Sequence, residues 1–215
     1  MTQAPTDNPL IIPEDAHIPL PGAAWVSPTV APDYSHLPVE MQRACRWLLW
    51  RLIPATTPGK IPKKIPYYIS GKPRGATDTP ADRAQLATLE EALAAKATGD
   101  YTGLGFALGP DGNGGYWQGI DYDHLSRHPE WAPLIDATPG YLETSPSGDG
   151  LHAIGYGQPF TTLPANASGV EAYTDGRYFT VTTNVVRNNG ITDQAIFVQT
   201  KLASIKGAHS GCLER

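Results

Sequence analysis

Apolar residues recur at helical spacing in residues 39–52, VEMQRACRWLLWRL. The spacing predicts a helix with one buried stripe, formed by Met41, Ala44, Cys45, Leu48, Leu49 and Leu52. Trp47 and Trp50 lie beside this stripe, and we expect both rings in the core rather than stacked on bases. A proline-rich break follows, and residues 60–80 then predict a loop with a short strand.

A second helix is predicted to begin after Thr79, which suits the N-cap position, with Pro80 as the first helical residue. Its apolar face would consist of Leu86, Leu89 and Leu93. Gly99 would end it, because glycine commonly follows the last helical turn.

Beyond residue 99 the pattern changes to short β-rich runs separated by Gly, Pro, Asn and Asp. The predicted strands are 103–108, 116–122, 140–145, 151–156, 169–174 and 178–183. A helix near 130–137 interrupts them, and residues 193–206 predict a closing helix. Helices followed by a mostly antiparallel sheet indicate an α+β fold.

The charges are unevenly distributed, although the net charge is only -5. Residues 1–40 contain eight prolines and five acids without Lys or Arg, which predicts an extended or disordered arm. Residues 41–77 contain eight bases and no acid, which predicts a concentrated basic patch. We expect the arm to pack near this patch, and a disordered tail is the alternative.

Two cysteines, Cys45 and Cys212, form neither a zinc-site spacing nor a framework of disulfides. No run approaches the ~20 apolar residues of a membrane span, and no signal-peptide layout is present at the N-terminus. We therefore expect a cytoplasmic protein with no membrane association.

The segment GIDYDH, residues 119–124, places two aspartates two positions apart after a glycine-rich turn. On a strand, Asp121 and Asp123 share one face, about 6–7 Å apart at the backbone, while Ile120 and Tyr122 face the core. Carboxylates this close repel each other unless a cation compensates them, and hard oxygen ligands suit Mg2+ or Mn2+. A solvent-facing pair at a strand end is the alternative.

Two later segments carry side chains suited to phosphate and metal binding. SPSGDGLH, residues 145–152, is a turn whose backbone N–H groups can form an anion-binding nest, with His152 at its exit. GVEAYTDGRYFTVT, residues 169–182, offers Glu171 as a third carboxylate and Arg177 as a fork for phosphate. A tight hairpin with a hydrogen-bonded histidine, and ordinary surface charges, are the structural alternatives.

Together, D-x-D, G-x-G-x-H and the later Glu followed by GRYFTVT resemble the archaeo-eukaryotic primase superfamily. The resemblance is to bifunctional DNA primase/polymerase (prim-pol) domains of plasmid, phage and mobile-element replication proteins, and it extends over residues 40–190. It includes KIPKKIPYYISGKPRGATDTP and GLGFALG, which look like the N-terminal half of such domains. Where the family often has a glycine after the final threonine, this chain reads TVTTN.

The resemblance implies a two-lobed fold, with an N-terminal α/β lobe at residues 38–100 and an RRM-like catalytic lobe at residues 101–206. Residues 1–37 would form the arm and 207–215 a C-terminal tail. The implied activity is template-dependent synthesis on single-stranded DNA from nucleoside triphosphates, in replication of a plasmid, phage or mobile element. A helicase domain or protein would supply unwinding, since no Walker A pattern is present in the sequence.

Carried onto this sequence, the family's catalytic residues are Asp121, Asp123, Glu171 and His152, and the three carboxylates would hold two divalent ions. The implied nucleotide-binding residues are Ser145, Ser147, Gly148, Asp149, Gly150, His152, Arg177, Tyr178 and Lys64. Independently of the resemblance, basic residues with Tyr67 and Tyr68 suit a single-strand track. The DNA-binding candidates in that track are Lys60, Lys63, Lys72 and Arg74.

Two other function classes remain open from the sequence. Three carboxylates and a histidine also suit a metal-dependent nuclease or phosphohydrolase. A catalytically silent RRM-like single-strand-binding module is the second, although such a module normally presents aromatic residues on its sheet.

Overall fold

The computed structural model describes residues 32–57, 60–165 and 168–203. Its helices are Val39–Arg43 (α1), Pro80–Arg83 (α2), Leu89–Thr98 (α3), Ala132–Ala137 (α4) and Ala195–Phe197 (α5), the last continued by a π-helical turn at Val198–Leu202. Short 3-10 turns occur at Tyr34–His36, Leu125–Arg127 and Pro129–Trp131. The strands are Trp47–Ile53 (β1), Lys63–Tyr67 (β2), Gly103–Ala107 (β3), Gly109–Pro110 (β4), Tyr116–Asp123 (β5), Tyr141–Thr144 (β6), Gly150–Gly157 (β7), Val170–Tyr173 (β8), Tyr178–Thr180 (β9) and Val185–Asn188 (β10).

The strands form two antiparallel sheets. One has four strands in the order β2-β1-β3-β9. The other has six, in which β10, β6, β7 and β5 follow one another, and the far side of β5 pairs with β4 near its start and with β8 further along. The expected α+β class with mostly antiparallel pairing is confirmed.

Strand β5 separates two hydrophobic cores, because its side chains alternate between the faces of the six-stranded sheet. Trp117 packs between this sheet and the four-stranded one, with its ring 4.7 Å from that of Phe106. Ile120 and Tyr122 face the opposite core, which α4 and α5 cover. This alternation leaves Asp121 on the face that looks toward the four-stranded sheet.

The helix predicted for residues 39–52 is wrong beyond Arg43. Residues 47–53 form strand β1, which lies between β2 and β3. Four consecutive residues at its start are buried, because both of its faces are covered: Trp47 and Leu49 join one core cluster and Leu48 another. A fully buried strand loses the two-residue alternation, so its apolar run is easily read as helical. The core positions of both tryptophans are confirmed, at 0% and 2% exposed.

The helix predicted after Thr79 is interrupted. Thr79 caps α2 as expected, but the chain then leaves the helix so that Ala87 can exchange backbone hydrogen bonds with Trp47. A new helix, α3, begins after Thr88, whose side chain forms a capping box with Glu91. Gly99 ends α3, as predicted.

Each of the six predicted strands corresponds to an observed one with ends that agree within one residue, except that the last ends at Thr180 rather than 183. Thr183 adopts a left-handed backbone with φ +63°, which no strand residue can have. Strands β4 and β10 were not predicted, since each is only two to four residues long and flanked by polar turns.

The two lobes predicted at residues 38–100 and 101–206 share the four-stranded sheet, which combines β1 and β2 with β3 and β9. Residues 1–31 of the predicted arm lie outside the described residues, so the predicted packing of the arm near the basic patch stays a prediction. Among the residues that are described, Tyr34 and Leu37 pack into the core beside Trp47. No helix in the described ranges has the length and apolar character needed to span a membrane.

Candidate functional site

Three of the predicted site residues meet on adjacent strands of the six-stranded sheet. Asp121 on β5 lies directly opposite His152 on β7 and directly opposite Glu171 on β8. Side chains at opposite positions of an antiparallel pair project from the same face. Asp123 follows on that face and lies opposite Gly150, so the D-x-D arrangement predicted from the sequence is present.

A cleft of about 310 Å³ opens beside these residues, between the two sheets. Strands of both sheets contribute to its walls, which are formed by Lys64, Asp121, His152, Glu171, Tyr173, Arg177, Tyr178, Phe179 and Thr180. The structure therefore brings together Asp121, Glu171, His152, Arg177, Tyr178 and Lys64 from the predicted set.

Asp121 carries a buried oxygen without a hydrogen bond. Its Oδ1 accepts from no donor among the described residues and lies 3.6 Å from Nε2 of His152. Burial raises the pKa of this carboxyl to about 6; His152 opposes the shift, and the negative charges of Asp123 and Glu171 add to it. An ionised, unsatisfied carboxylate is unfavourable in such surroundings, which favours a cation in the cleft.

His152 is held rigidly in the wall of the cleft. It is 5% exposed, its ring stacks on Phe179 at 4.5 Å, and its Nδ1–H donates to the carbonyl of Thr180 at 3.1 Å. Nε2 is therefore the atom turned toward Asp121. Burial lowers the pKa of this imidazole, but Glu143 and Asp121 together bring the pKa above its ordinary value.

Glu171 and Arg177 are linked through one aromatic residue. The Tyr173 hydroxyl donates to Oε2 of Glu171 at 2.5 Å, and the Arg177 guanidinium lies over the Tyr173 ring at 4.7 Å. Arg177 is exposed and forms no salt bridge with any described carboxylate. It is thus a cation at the cleft mouth available to an anionic ligand.

Lys64 and Tyr178 close the side formed by the four-stranded sheet. The Tyr178 hydroxyl donates to the carbonyl of Lys64 at 2.9 Å. Lys64 as a whole residue is exposed, yet partial burial of its ammonium group lowers the pKa of that group, and Asp121 and Asp123 oppose the shift. The ammonium therefore lies within the field of both aspartates.

The anion-binding nest expected in the turn 145–150 is not open. The N–H groups of Ser145 and Gly148 donate to carbonyls of the turn, and that of Asp149 donates to the Ser147 hydroxyl. The Asp149 carboxylate accepts from Ser126, and Gly150 lies in strand β7. These residues do not line the cleft. N–H donors of the turn hold its own shape, and the carbonyl and carboxylate of Asp149 accept from Leu125 and Ser126.

The predicted basic patch is divided among separate roles. Arg74 is not available to DNA, since its side chain is 1% exposed and forms a double hydrogen bond to Asp82. Arg46 is buried against main-chain carbonyls, and Arg51 stacks on Tyr67 and Tyr101. The remaining candidates, Lys60, Lys63 and Lys72, are exposed, and their DNA contact stays a prediction.

Two residues of the site were not identified from the sequence. Glu143 is fully buried and accepts from the Tyr141 hydroxyl and the N–H groups of Thr182 and Thr183, 3.9 Å from His152. A single acid in an apolar strand gives no sequence signal. Tyr173 could have been found, because it lies two positions after Glu171 and so shares its strand face.

The side chains of the cleft suit divalent ions by their chemistry, although they are not arranged as a complete metal site. No group of three His, Cys, Asp or Glu side chains within residues 32–57, 60–165 and 168–203 is arranged to hold a metal ion. However, the unsatisfied Oδ1 of Asp121 and the opposing carboxylate of Glu171 are hard oxygen donors in one cleft. Such donors suit Mg2+ or Mn2+.

Comparison with known proteins shows to which family this chain belongs. No family model matches the sequence. A similar curated protein is the DNA primase-polymerase of Nitratiruptor phage NrS-1, which is 32% identical over 157 residues. The match covers 67% of this chain and 20% of that protein, so the chain spans about a fifth of the relative's length. It confirms the resemblance found in the sequence: the chain contains a prim-pol domain.

Proposed function

We propose that this domain is a template-dependent DNA primase/polymerase that transfers nucleotides from (d)NTPs onto a 3'-hydroxyl. The observation that carries the proposal is the pair Asp121 and Glu171, directly opposed in one cleft with Arg177 and Lys64 at its walls. Acidic residues for metal beside basic residues for phosphate are what phosphoryl transfer needs. The similarity to a phage primase-polymerase supports the same activity.

Within this proposal, Asp121, Asp123 and Glu171 hold two divalent ions, Mg2+ or Mn2+. Bound ions of this kind lower the pKa of an attacking hydroxyl and neutralise charge on the triphosphate. Arg177, whose guanidinium lies over the Tyr173 ring and pairs with no described carboxylate, binds phosphate oxygens, and Lys64 supplies a second positive charge. The ring of Tyr178 lies beside them and contacts the sugar.

His152 forms part of the cleft wall and presents one ring nitrogen to the cleft. Its Nδ1–H is committed to Thr180, so only Nε2 faces the cleft. Because Nδ1 already carries a proton, Nε2 carries one only in the imidazolium form, which the nearby carboxylates of Glu143 and Asp121 favour. In that form Nε2 donates to a phosphate oxygen that occupies the space beside Asp121.

The two-lobed prim-pol arrangement is also part of the proposal. The cleft lies between the two sheets, as expected for a catalytic centre at the junction of an N-terminal lobe and an RRM-like lobe. Single-stranded DNA would reach it along Lys60, Lys63 and Lys72. A helicase domain or protein would act with it in replication, in the cytoplasm.

A primer-extension assay tests the proposal. The 215-residue chain is incubated with a labelled primer on a single-stranded template, (d)NTPs, and Mg2+ or Mn2+, beside an unprimed template and a template-free control. Template-dependent lengthening supports a polymerase, and labelled product on the unprimed template adds primase activity. Primer shortening would instead indicate a nuclease, and metal-independent binding without any product would indicate a single-strand-binding module.

A further inference from the structure

A second cleft, of about 380 Å³, lies away from the first and shares no residue with it. It is lined by Glu40, Arg43, Ala44, Cys45, Arg46, Arg83, Asp111, Asn113, Trp117 and Tyr156. Trp117 and Asp121 project from the same face of β5, four residues apart, which places the two clefts roughly 13 Å apart along the strand. Phe179 in the wall of the first cleft and Trp117 in the wall of the second belong to the same hydrophobic core.

Arg46 is a buried cation that forms no salt bridge with a described carboxylate, although Asp78 and Asp82 interact with it at longer range. It is 4% exposed, and its guanidinium donates to the carbonyls of Ala107, Leu108 and Pro110 at 2.6–2.9 Å. No described carboxylate lies within 4.0 Å of it. Burial lowers the pKa of this guanidinium to about 10. Neutral carbonyls compensate a buried charge only in part, so an anion bound nearby would stabilise it.

Two further arginines line the same cleft. Arg43 is exposed at the end of α1, and Arg83 donates through Nη1 to the carbonyl of Asp78. Neither forms a salt bridge with a described carboxylate. Three guanidinium groups therefore line one cavity, and none of them forms a salt bridge with a described carboxylate.

The two acids of the cleft offset only part of the charge of its three arginines. Asp111 accepts from the N–H groups of Asn113 and Gly115 in its own turn and from the Tyr156 hydroxyl on β7, and its negative charge interacts with Arg46. Glu40 is exposed in the first turn of α1. The cavity thus retains an excess of positive charge.

We propose that this second cleft binds a phosphate group. Phosphate offers oxygens that match the paired N–H donors of a guanidinium, and its negative charge suits a site with three of them. The group can belong to a nucleotide or to the backbone of single-stranded DNA. The proposal goes beyond nucleotidyl transfer and does not depend on it, because phosphate binding here is measurable without catalysis.

Cys45 makes the test specific to this cleft, since its exposed thiol lies in the wall. In a Cys212→Ser variant of the full chain, Cys45 is the remaining thiol, and its alkylation by N-ethylmaleimide is followed by mass spectrometry. We expect inorganic phosphate to slow alkylation several-fold, compared with sodium chloride at equal ionic strength. An unchanged alkylation rate at phosphate concentrations that raise the melting temperature would place the phosphate elsewhere and overturn the proposal.

Variants then assign the binding to the arginines. Arg43→Ala and Arg83→Ala should each raise the phosphate concentration needed to protect Cys45 by about tenfold, because each removes a charged donor. Both side chains lie at the surface of the cleft, so these variants avoid the folding risk of replacing buried Arg46. Arg127→Ala, an exposed arginine elsewhere, and Arg177→Ala, in the first cleft, are the matched controls. Loss of protection in Arg177→Ala but not in Arg43→Ala or Arg83→Ala would overturn the proposal.

A second ligand separates the two sources of phosphate. Binding of a twelve-nucleotide oligo(dT) without a terminal phosphate is measured by fluorescence anisotropy on the same variants. Protection of Cys45 by a dNTP is measured in the same alkylation assay. Weaker oligonucleotide binding by Arg43→Ala and Arg83→Ala identifies a DNA backbone site. Weaker protection by inorganic phosphate and dNTP, with oligonucleotide binding unchanged, identifies a nucleotide site. Absence of every such effect contradicts phosphate binding in this cleft.

Discussion

Asp121 and Glu171 lie directly opposite each other on the neighbouring antiparallel strands β5 and β8. Like charges at opposed positions destabilise a sheet, and here one oxygen of Asp121 is buried without a hydrogen-bond donor. Nothing in the packing requires an acid at position 121, since its apolar neighbours Ile120 and Tyr122 face the other core. The pair is therefore explained by what the cleft binds rather than by stability of the fold.

Replacing Asp121 with Asn should abolish nucleotide transfer without lowering stability. The substitution keeps the side-chain volume but removes the charge that repels Glu171 and that would hold a divalent ion. We expect no detectable primer extension and a melting temperature equal to or above that of the parent. Primer extension and thermal unfolding on the same preparation measure both effects.

Asp100→Asn is the control, because Asp100 is exposed and lies outside the cleft. It should extend primers at the parental rate. Near-parental synthesis by Asp121→Asn would show that this carboxylate is not needed for transfer.

Replacing His152 with Ala should affect both nucleotide binding and stability. The ring stacks on Phe179 and bonds to Thr180, so its removal leaves a cavity and an unpaired carbonyl, at a cost of about 2–4 kcal/mol in unfolding free energy. Loss of Nε2 should raise the KM for nucleotide about tenfold, with template affinity unchanged. Urea unfolding, KM for dNTP and oligonucleotide anisotropy separate these effects, and equal loss of nucleotide and template affinity would indicate a purely structural histidine.

The D-x-D strand could be predicted because its alternation is clear: Ile120 and Tyr122 are buried, and Asp121 and Asp123, which alternate with them, are only partly buried. Strand β1 could not, because both of its faces are covered and the alternation disappears. The role of Arg74 was also hidden, since Asp82 lies eight residues away and only the folded chain brings the two together. Composition shows how many cations a segment has but not which of them are paired.

The exposed lysines of the β2 region should set the salt dependence of single-strand binding. Lys60, Lys63 and Lys72 are each exposed and can each neutralise one phosphate. Replacing all three with Ala should reduce the slope of log K against log salt by about 2, at roughly 0.7 per phosphate on a single strand. Fluorescence anisotropy of oligo(dT) at several salt concentrations measures the slope. An Arg127→Ala control should retain the parental slope. An unchanged slope in the triple variant would place the template elsewhere.

The start of the folded domain can be tested by truncation. Tyr34 is 8% exposed with its ring 6.1 Å from that of Trp47, and Leu37 is 3% exposed in the same cluster. Deleting residues 1–37 should therefore lower the free energy of unfolding by several kcal/mol, as expected for losing two buried side chains. Deleting residues 1–31 leaves both in place and should cost less. Equal stability of the two truncated chains would show that the contacts of Tyr34 and Leu37 contribute nothing.

The buried pair Arg74 and Asp82 should make the protein sensitive to acid. Asp82 is 2% exposed; burial acts to raise its pKa, but hydrogen bonds from Arg74, Tyr68 and the N–H of Asp78 lower the pKa below its ordinary value. A carboxylate with a lowered pKa in the folded state contributes stability above its ordinary pKa near 4, and loses that contribution as the pH falls through the folded value. The parent chain should therefore lose stability below about pH 4.

At pH 7, Arg74→Ala leaves the Asp82 charge buried without its cation and should cost about 3–5 kcal/mol in unfolding free energy. Arg74→Met combined with Asp82→Asn removes both charges, keeps an oxygen for Tyr68, and should be less destabilised. Because protonation removes the charge that Arg74 compensates, the gap between Arg74→Ala and the parent should narrow as the pH falls below 4. Urea unfolding at pH 7, 5 and 3.5 measures this gap, and a gap that is absent at pH 7, or constant with pH, would mean that the ion pair does not stabilise the fold.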